Sequence, residues 1–368
     1  VDFDIPNELV SNIIVDGLIT DQPGPYTVKL TRPVKIQGPQ ILGLPVSVKK
    51  AVILDDLGNQ EVLTEETTGT YRTSEGGMRG AVGRTYVLRL ETFDGRTFES
   101  IPDQLTPSGV IENVYYEFES SKPPDGPEEY GYRIFVDSKN AEGQETYVRW
   151  RYSGTYIVET KPQFHYDTNC QTPPCGCLAP LPCSGHALID GVPHLGYQIN
   201  PRTGKPEFVQ GLKCECCRCW VPEAEVKPKV SDNQLVSNGR FNKVEVGFVP
   251  VTYYRFQERY RAEVTQMSLT KNSFAYWKAI QAQKEATNSL FQPVSGRIPI
   301  SIFEKGGSGF LQGIFYASAT RVKYLYLDRS TQRVDIITPV NCDGRVGPKG
   351  ESCLSFPGAS TAPPDDWN

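Results

Sequence analysis

Cysteine is the residue type best placed to do chemistry in this chain. Eight of the ten cysteines, Cys170, Cys175, Cys177, Cys183, Cys214, Cys216, Cys217 and Cys219, crowd into one stretch, and Cys342 and Cys353 sit near the C-terminus. Thiols at this density are either oxidised to disulfides outside the cytosol or committed to a metal. A zinc site normally shows two Cys-x-x-Cys knuckles, because two intervening residues let both thiolates reach one tetrahedral ion. Cys216-Cys217-Arg218-Cys219 is the nearest approach, and it has no partner knuckle. The even count lets every thiol pair, so all ten are expected in disulfides, with no metal and no cofactor. A zinc or iron-sulfur site is the alternative, with His186 or His194 completing it. Eight clustered cysteines leave on the order of a hundred pairings open. Cys216 and Cys217 should each pair elsewhere, since bridging neighbours strains the peptide between them. Cys342 and Cys353 flank an Asp-Gly-Arg-Val-Gly-Pro-Lys-Gly turn segment, which predicts a local bridge.

Catalytic constellations are thin. His165, His186 and His194 all lie in or beside the cysteine-rich stretch, and Ser184-Gly185-His186 places a hydroxyl near an imidazole only in sequence. No Gly-x-Ser-x-Gly elbow, His-Glu-x-x-His helix or phosphate-binding glycine loop occurs. Gly76-Gly77 and the glycines at 80 and 83 lie between predicted strands, which removes the helix N-terminus that a phosphate would need. Asp55-Asp56-Leu57-Gly58-Asn59 reads as a hairpin tip in preference to a calcium loop, because no third carboxylate follows at ligand spacing. Glu65-Glu66 and Glu128-Glu129 fall in polar turns. The chain is not expected to be an enzyme.

The elements that must position these residues are strands. Of 368 residues, 33 are Gly and 29 Pro, and they punctuate short runs rich in Val, Ile, Thr and Tyr, an all-β rhythm. Strands are predicted at 12–18, 26–31, 46–54, 61–64, 69–73, 84–92 and 96–101, the count of an immunoglobulin-like sandwich. The clearest hairpin spans 86–100, where Asp94-Gly95 is expected to supply two positive-φ positions. After a boundary at 103–108, strands follow at 110–119, 130–137, 145–152 and 155–159, then at 243–248, 253–269, 309–317 and 321–327. The fold class is therefore mainly β, with two β-sandwich, immunoglobulin-like units: residues 1–105, and residues 106–340 carrying a disulfide-rich insertion at 163–222. Residues 341–368 are a tail with a local disulfide. One helix is predicted at 273–288, capped by Asn272 or Ser273, with Phe274, Tyr276, Trp277 and Ile280 on its apolar face.

Net charge of -5 and a pI near 5.5, with no Lys/Arg stripe, argue against a nucleic-acid partner. No apolar stretch approaches the roughly 20 residues that span a bilayer. The first residue is Val1 and not methionine, so removal of an upstream leader is expected.

Several segments then resemble a known family. Residues 12–30 (NIIVDGLITDQPGPYTVKL), 83–90 (GRTYVLRL), 273–291 with its Tyr-Trp pair and TNSLF ending, and 313–319 (GIFYASA) are similar to a domain-of-unknown-function family of Bacteroidota cell-envelope lipoproteins. Genes of that family often stand beside those of TonB-dependent outer-membrane receptors. The resemblance runs from about residue 2 to residue 328, and its motifs are structural. It implies a signal peptide, a lipidated cysteine just upstream of Val1, and an outer-membrane anchor, with the cell surface preferred to the periplasmic face. The functional expectation is a noncatalytic lipoprotein that serves an outer-membrane β-barrel complex, such as a TonB-dependent receptor, in substrate capture or assembly. The alternative is a freestanding adhesin or a glycan- or peptide-binding module. Because a disulfide-braced loop presents side chains at little ordering cost and aromatic anchors dominate interfaces, Tyr197, Phe208 and Trp220 are the partner-contact candidates. The competing reading is that these three form the insertion's own small core.

Overall fold

The computed structural model describes residues 13–33, 43–121, 129–142, 147–170, 175–231, 238–286, 297–328, 336–364 and 367. The fold is mainly β, with several sheets, one of them nearly closed, and one α-helix among the described residues. Two-residue alternation explains the first sheet. Val15 and Ile19 in Ile14–Thr20, Val28 and Leu30 in Thr27–Arg32, and Tyr86, Leu88 and Leu90 in Thr85–Glu91 are all buried. They share one core with Ile53, Phe98, Leu311 and Phe315. Side chains two apart in a strand share a face, so apolar residues at that spacing place each strand with one side on the core.

The hairpin at 86–100 forms between Thr85–Glu91 and Thr97–Ser100, but with another turn than expected. Only Gly95 has positive φ, at 84°. Its N–H bonds the Thr92 carbonyl and the Thr92 N–H bonds the Arg96 carbonyl, which is a three-residue loop closed by a left-handed glycine.

The first sheet does not stop at residue 105. Its strand order places Ile302–Glu304 and Phe310–Ser318 between Thr97–Ser100 and Ile14–Thr20. Phe310–Ser318 runs parallel to Ile14–Thr20, with Val15 opposite Gly313 and Ile19 opposite Ala317. The prediction that put 309–317 in the second unit is corrected here. Periodicity reports that a strand has a buried face and says nothing about which sheet receives it. Gly313 is required at this junction: its φ is 94°, and a Cβ there would meet the Val15 carbonyl oxygen at 1.9 Å.

Past the buried Ala319 the chain enters Thr320–Leu327, an edge of a second sheet with Tyr260–Ser268, Val148–Glu159 and Arg218–Ala224. A three-stranded sheet of Val110–Ser121, Glu129–Lys139 and Arg240–Pro250 packs on it. Trp150, Tyr152, Val264, Ile134, Phe241 and Val249 fill the core between them. The strands predicted at 145–152 and 155–159 are one continuous strand, Val148–Glu159.

The helix occupies Lys271–Ala286; residues 287 and 288 of its predicted span lie outside the described residues. Thr270 caps it, in place of Asn272 or Ser273: the Ser273 N–H donates to Thr270 Oγ1 at 3.3 Å and the Phe274 N–H to the Thr270 carbonyl at 2.9 Å. Phe274, Tyr276 and Trp277 pack on Met267, Leu269, Ile314 and Tyr316, residues drawn from both sheets. At this junction Asp103, 2% exposed, accepts hydrogen bonds from the hydroxyls of Thr270 and Ser273 and from the Ala317 N–H at 2.9 Å. Burial holds its carboxyl above the ordinary range against those donors. One turn further along the helix the buried Arg149 pairs with Glu225, donates to Tyr316 Oη at 3.1 Å and stacks 3.5 Å from the Trp277 ring centre.

Replacing Asp103 with Ala strands three buried donors, so denaturant unfolding should show a loss of about 1–3 kcal/mol. The raised pKa also gives a sign. The folded state holds its proton more tightly than the unfolded chain, so this group's contribution is present below the ordinary carboxylate range and is lost as pH rises through the higher folded value. Asp103→Asn cannot ionise, and stability profiles against pH should show that loss removed.

Candidate functional site

All ten cysteines are paired: Cys170–Cys177, Cys175–Cys342, Cys183–Cys216, Cys214–Cys217 and Cys219–Cys353. Cys216 and Cys217 each reach elsewhere. The local bridge predicted between Cys342 and Cys353 does not form; both reach back into the insertion, across separations of 167 and 134 residues. Backbone pairing explains this. The Lys161 N–H bonds the Lys349 carbonyl, the Cys353 N–H bonds the Cys216 carbonyl, and Trp220 and Ser360 exchange both bonds, at 2.8 and 3.0 Å. Insertion and tail are thus one module, and the expected separate tail with its own bridge is corrected.

The module's visible structure is a set of short hairpins. His186–Ile189 pairs with Val192–Leu195 around Asp190 and Gly191, whose φ values of 50° and 79° make the tight turn that Asp-Gly favours. Tyr197–Ile199 pairs with Pro206–Phe208. The Asp190-Gly191 dipeptide is the sequence signal that marks this turn. Tyr197 is half-buried and meets Phe208 edge-on at 5.5 Å, with the His194 ring 6.3 Å from Tyr197. Phe208 is 65% exposed, and Val192, Leu195 and Ile199 on the same hairpins are also more than half exposed. The third candidate stands apart. Trp220 lies in Arg218–Ala224, opposite Ile157, with Arg218 over its ring and Ser360 along its backbone. The structure brings Tyr197 and Phe208 together and not Trp220.

The other candidates settle into local structure. His165 Nδ1 and His186 Nδ1 are bonded to the carbonyls of Gly350 and Ser184 at 3.0 and 2.7 Å. Among the described residues no three His, Cys, Asp or Glu side chains cluster closely enough to hold a metal. Asp55 Oδ1 accepts the N–H groups of Leu57 and Asn59, and Arg84 pairs with Asp55 and Asp56, which makes a closed hairpin tip. The loop around Gly76 and Gly77 does form an amide cradle, already filled by the Glu61 carboxylate, which accepts from Ser74 and Met78. Glu65 is taken up by Ser47 and Gly69, and Glu128 lies outside the described residues.

One concavity was invisible in the sequence. A groove of about 750 Å³ opens along the side of the second unit. It is lined by residues 223–229, by Glu245, Gly247, Phe248 and Pro250, by Tyr152 and Arg255, and by Gln281 and Glu285 of the helix. Its floor is a connected polar chain: Tyr152 Oη lies 2.6 Å from Tyr260 Oη, which donates to Glu223 Oε2 at 2.8 Å, and Arg255 pairs with Glu223 Oε1 at 2.6 Å. Burial, reinforced by the neighbouring hydroxyl and by Glu223, pushes the Tyr260 phenol far up; burial does the same to Tyr152. Both rings therefore stay neutral and serve as hydrogen-bond donors. No motif could have announced this groove, since its lining comes from five separated stretches of chain.

Replacing both Cys219 and Cys353 with Ala should cost about 2–5 kcal/mol in denaturant unfolding of the second unit. Intact mass after alkylation without reduction should show no labelled thiol in the parent chain.

A family model described as "Domain of unknown function (DUF4249)" matches residues 1–314, most of the chain, so the chain belongs to that family. Neither the curated proteins nor the solved structures contain a match.

Proposed function

We propose, from that membership, that the protein is a noncatalytic, lipid-anchored accessory subunit of an outer-membrane β-barrel complex, such as one built on a TonB-dependent receptor, working at the cell surface in substrate capture or assembly. The observation that carries this reading is the set of exposed apolar side chains, Val192, Leu195, Ile199 and Phe208, on the short hairpins of a module braced by five disulfides. Exposed apolar side chains on a rigid support are common material of a protein interface, because little conformational freedom is lost when they dock. Disulfides at this density support an oxidising compartment. The resemblance of residues 12–30 and 313–319 to envelope lipoproteins supports the anchor and the barrel partner. The groove beside Tyr152 favours the second reading, a freestanding glycan- or peptide-binding module.

The double variant Leu195→Glu, Phe208→Glu should fold with unchanged disulfides and recover about tenfold less barrel protein when extracted and purified from its native membrane. Recovery equal to the parent would remove the hairpins as the docking face. Mass spectrometry of the mature N-terminus should find an acylated cysteine upstream of Val1. Since a buried chain contributes about 0.8 kcal/mol per methylene, an unacylated protein released without detergent would overturn the anchor.

A further inference from the structure

One end of the first sheet carries exposed aromatic rings. Phe303 in Ile302–Glu304 stands opposite Phe310 in Phe310–Ser318, on the face away from the core that takes their neighbours Ile302 and Leu311. Phe303 is 47% exposed and Phe310 42%. The adjoining hairpin of Thr85–Glu91 and Thr97–Ser100 has Phe93 in its turn, 74% exposed. The two hairpin turns lie side by side, since the Lys305 N–H bonds the Thr97 carbonyl at 2.8 Å. Leu44, also exposed, pairs with Arg32 at this end. Apolar side chains exposed singly need no explanation. Several gathered at one end of a sheet mark an interaction surface.

The chain enters the body at the same end. Ile14–Thr20 starts beside the start of Phe310–Ser318, and the Ile13 carbonyl accepts from the Gln312 N–H at 3.1 Å. Phe310–Ser318 then leads away from this end, about 30 Å at the rise of a strand, to the junction where the Ala317 N–H meets Asp103 and the second unit begins. An anchor upstream of Val1 is therefore attached through the end that bears the rings, and the second unit lies at the other. Residues 1–12 span at most about 40 Å when fully extended. A tether of that length keeps the rings within reach of the surface to which the chain is tied and raises the effective concentration of that surface.

We infer that this end of the first sheet rests on the lipid bilayer, with Phe93, Phe303 and Phe310 seated in the headgroup layer, so that the second unit is held off the membrane. The inference rests on the anchor proposed above and adds what an anchor alone does not give, an orientation. Aromatic and aliphatic side chains enter the interfacial layer without any spanning segment. Around the rings Arg96 pairs with Asp94, Lys49 with Glu91, and both Arg89 and Lys305 with Glu99. A rim of both signs suits zwitterionic headgroups.

The test ties the full chain to phosphatidylcholine vesicles through an N-terminal histidine tag and a nickel-chelating lipid, in place of the acyl chain. The photo-crosslinker p-benzoylphenylalanine replaces Phe303, Phe93 or Leu57 in turn. Leu57 is the control, 73% exposed in the turn at the opposite end of the sheet. After irradiation, intact mass should show lipid adducts at 303 and 93 with about tenfold the yield at 57. Untethered chain should cosediment with the same vesicles, and Phe93→Ser, Phe303→Ser and Phe310→Ser together should weaken that binding about tenfold, with disulfides and denaturant midpoint unchanged. Equal lipid adducts at 57 and 303 would overturn the inference, as would a crosslinked product containing two chains, which would make this end a self-association face. An unacylated native N-terminus together with lipid adducts at 303 would remove the anchor and leave the docking face standing.

Discussion

A buried carboxylate without a cationic partner among its hydrogen-bonding contacts holds this molecule in register. Asp103 sits where the first sheet, the helix and the crossing strand meet, and it is held by two hydroxyls from the helix start and one amide from Phe310–Ser318. A carboxylate in that position is costly to desolvate, and only a full set of donors offsets the cost. The arrangement is therefore specific: the helix must begin at Thr270, and Ala317 must present its N–H at the same point. Arg149 answers one turn further along, where its ion pair with Glu225 and its stack on Trp277 bind the second unit to the same helix. Apolar packing at the junction supplies adhesion, and these two charges supply orientation.

The insertion is stabilised in another way. Its hairpins have three or four residues per strand, too short to bury a core of their own. Covalent links take the place of that core, and two of them recruit the tail. The family match ends at residue 314, before Cys342 and Cys353. The bracing of this module therefore relies on chain beyond the matched region.

Much of this was legible in the sequence, for physical reasons that also mark where legibility ended. Thr85–Glu91 and Thr97–Ser100 announced themselves because every second residue is apolar and a glycine turn lies between them. The helix was visible through its aromatic spacing, while its cap was misplaced because Ser273 is better used as a donor to Asp103 than as a cap. Sheet membership of Phe310–Ser318 was hidden, since the same alternation suits either sheet. Disulfide partners were hidden as well, because the tail's approach depends on backbone bonds such as Trp220 with Ser360 that leave no trace in residue type. Asp103 looked like one polar residue in a Pro-rich break, and nothing local marks a carboxylate that will be surrounded 167 residues later.

The parallel pairing of Ile14–Thr20 with Phe310–Ser318 governs how the chain can be made. A nascent polypeptide emerging N-terminus first cannot complete its leading domain when that domain's sequence has appeared. The gap beside Ile14–Thr20 stays open until Phe310–Ser318 has been made, and among the described residues the second unit has every strand but Thr320–Leu327 before the first can shut. Ring closure over so long a loop is slow, and open strand edges are exposed while it waits. A protein built this way closes its first sheet last, and its open edges need protection for longer than those of a chain whose domains finish in order.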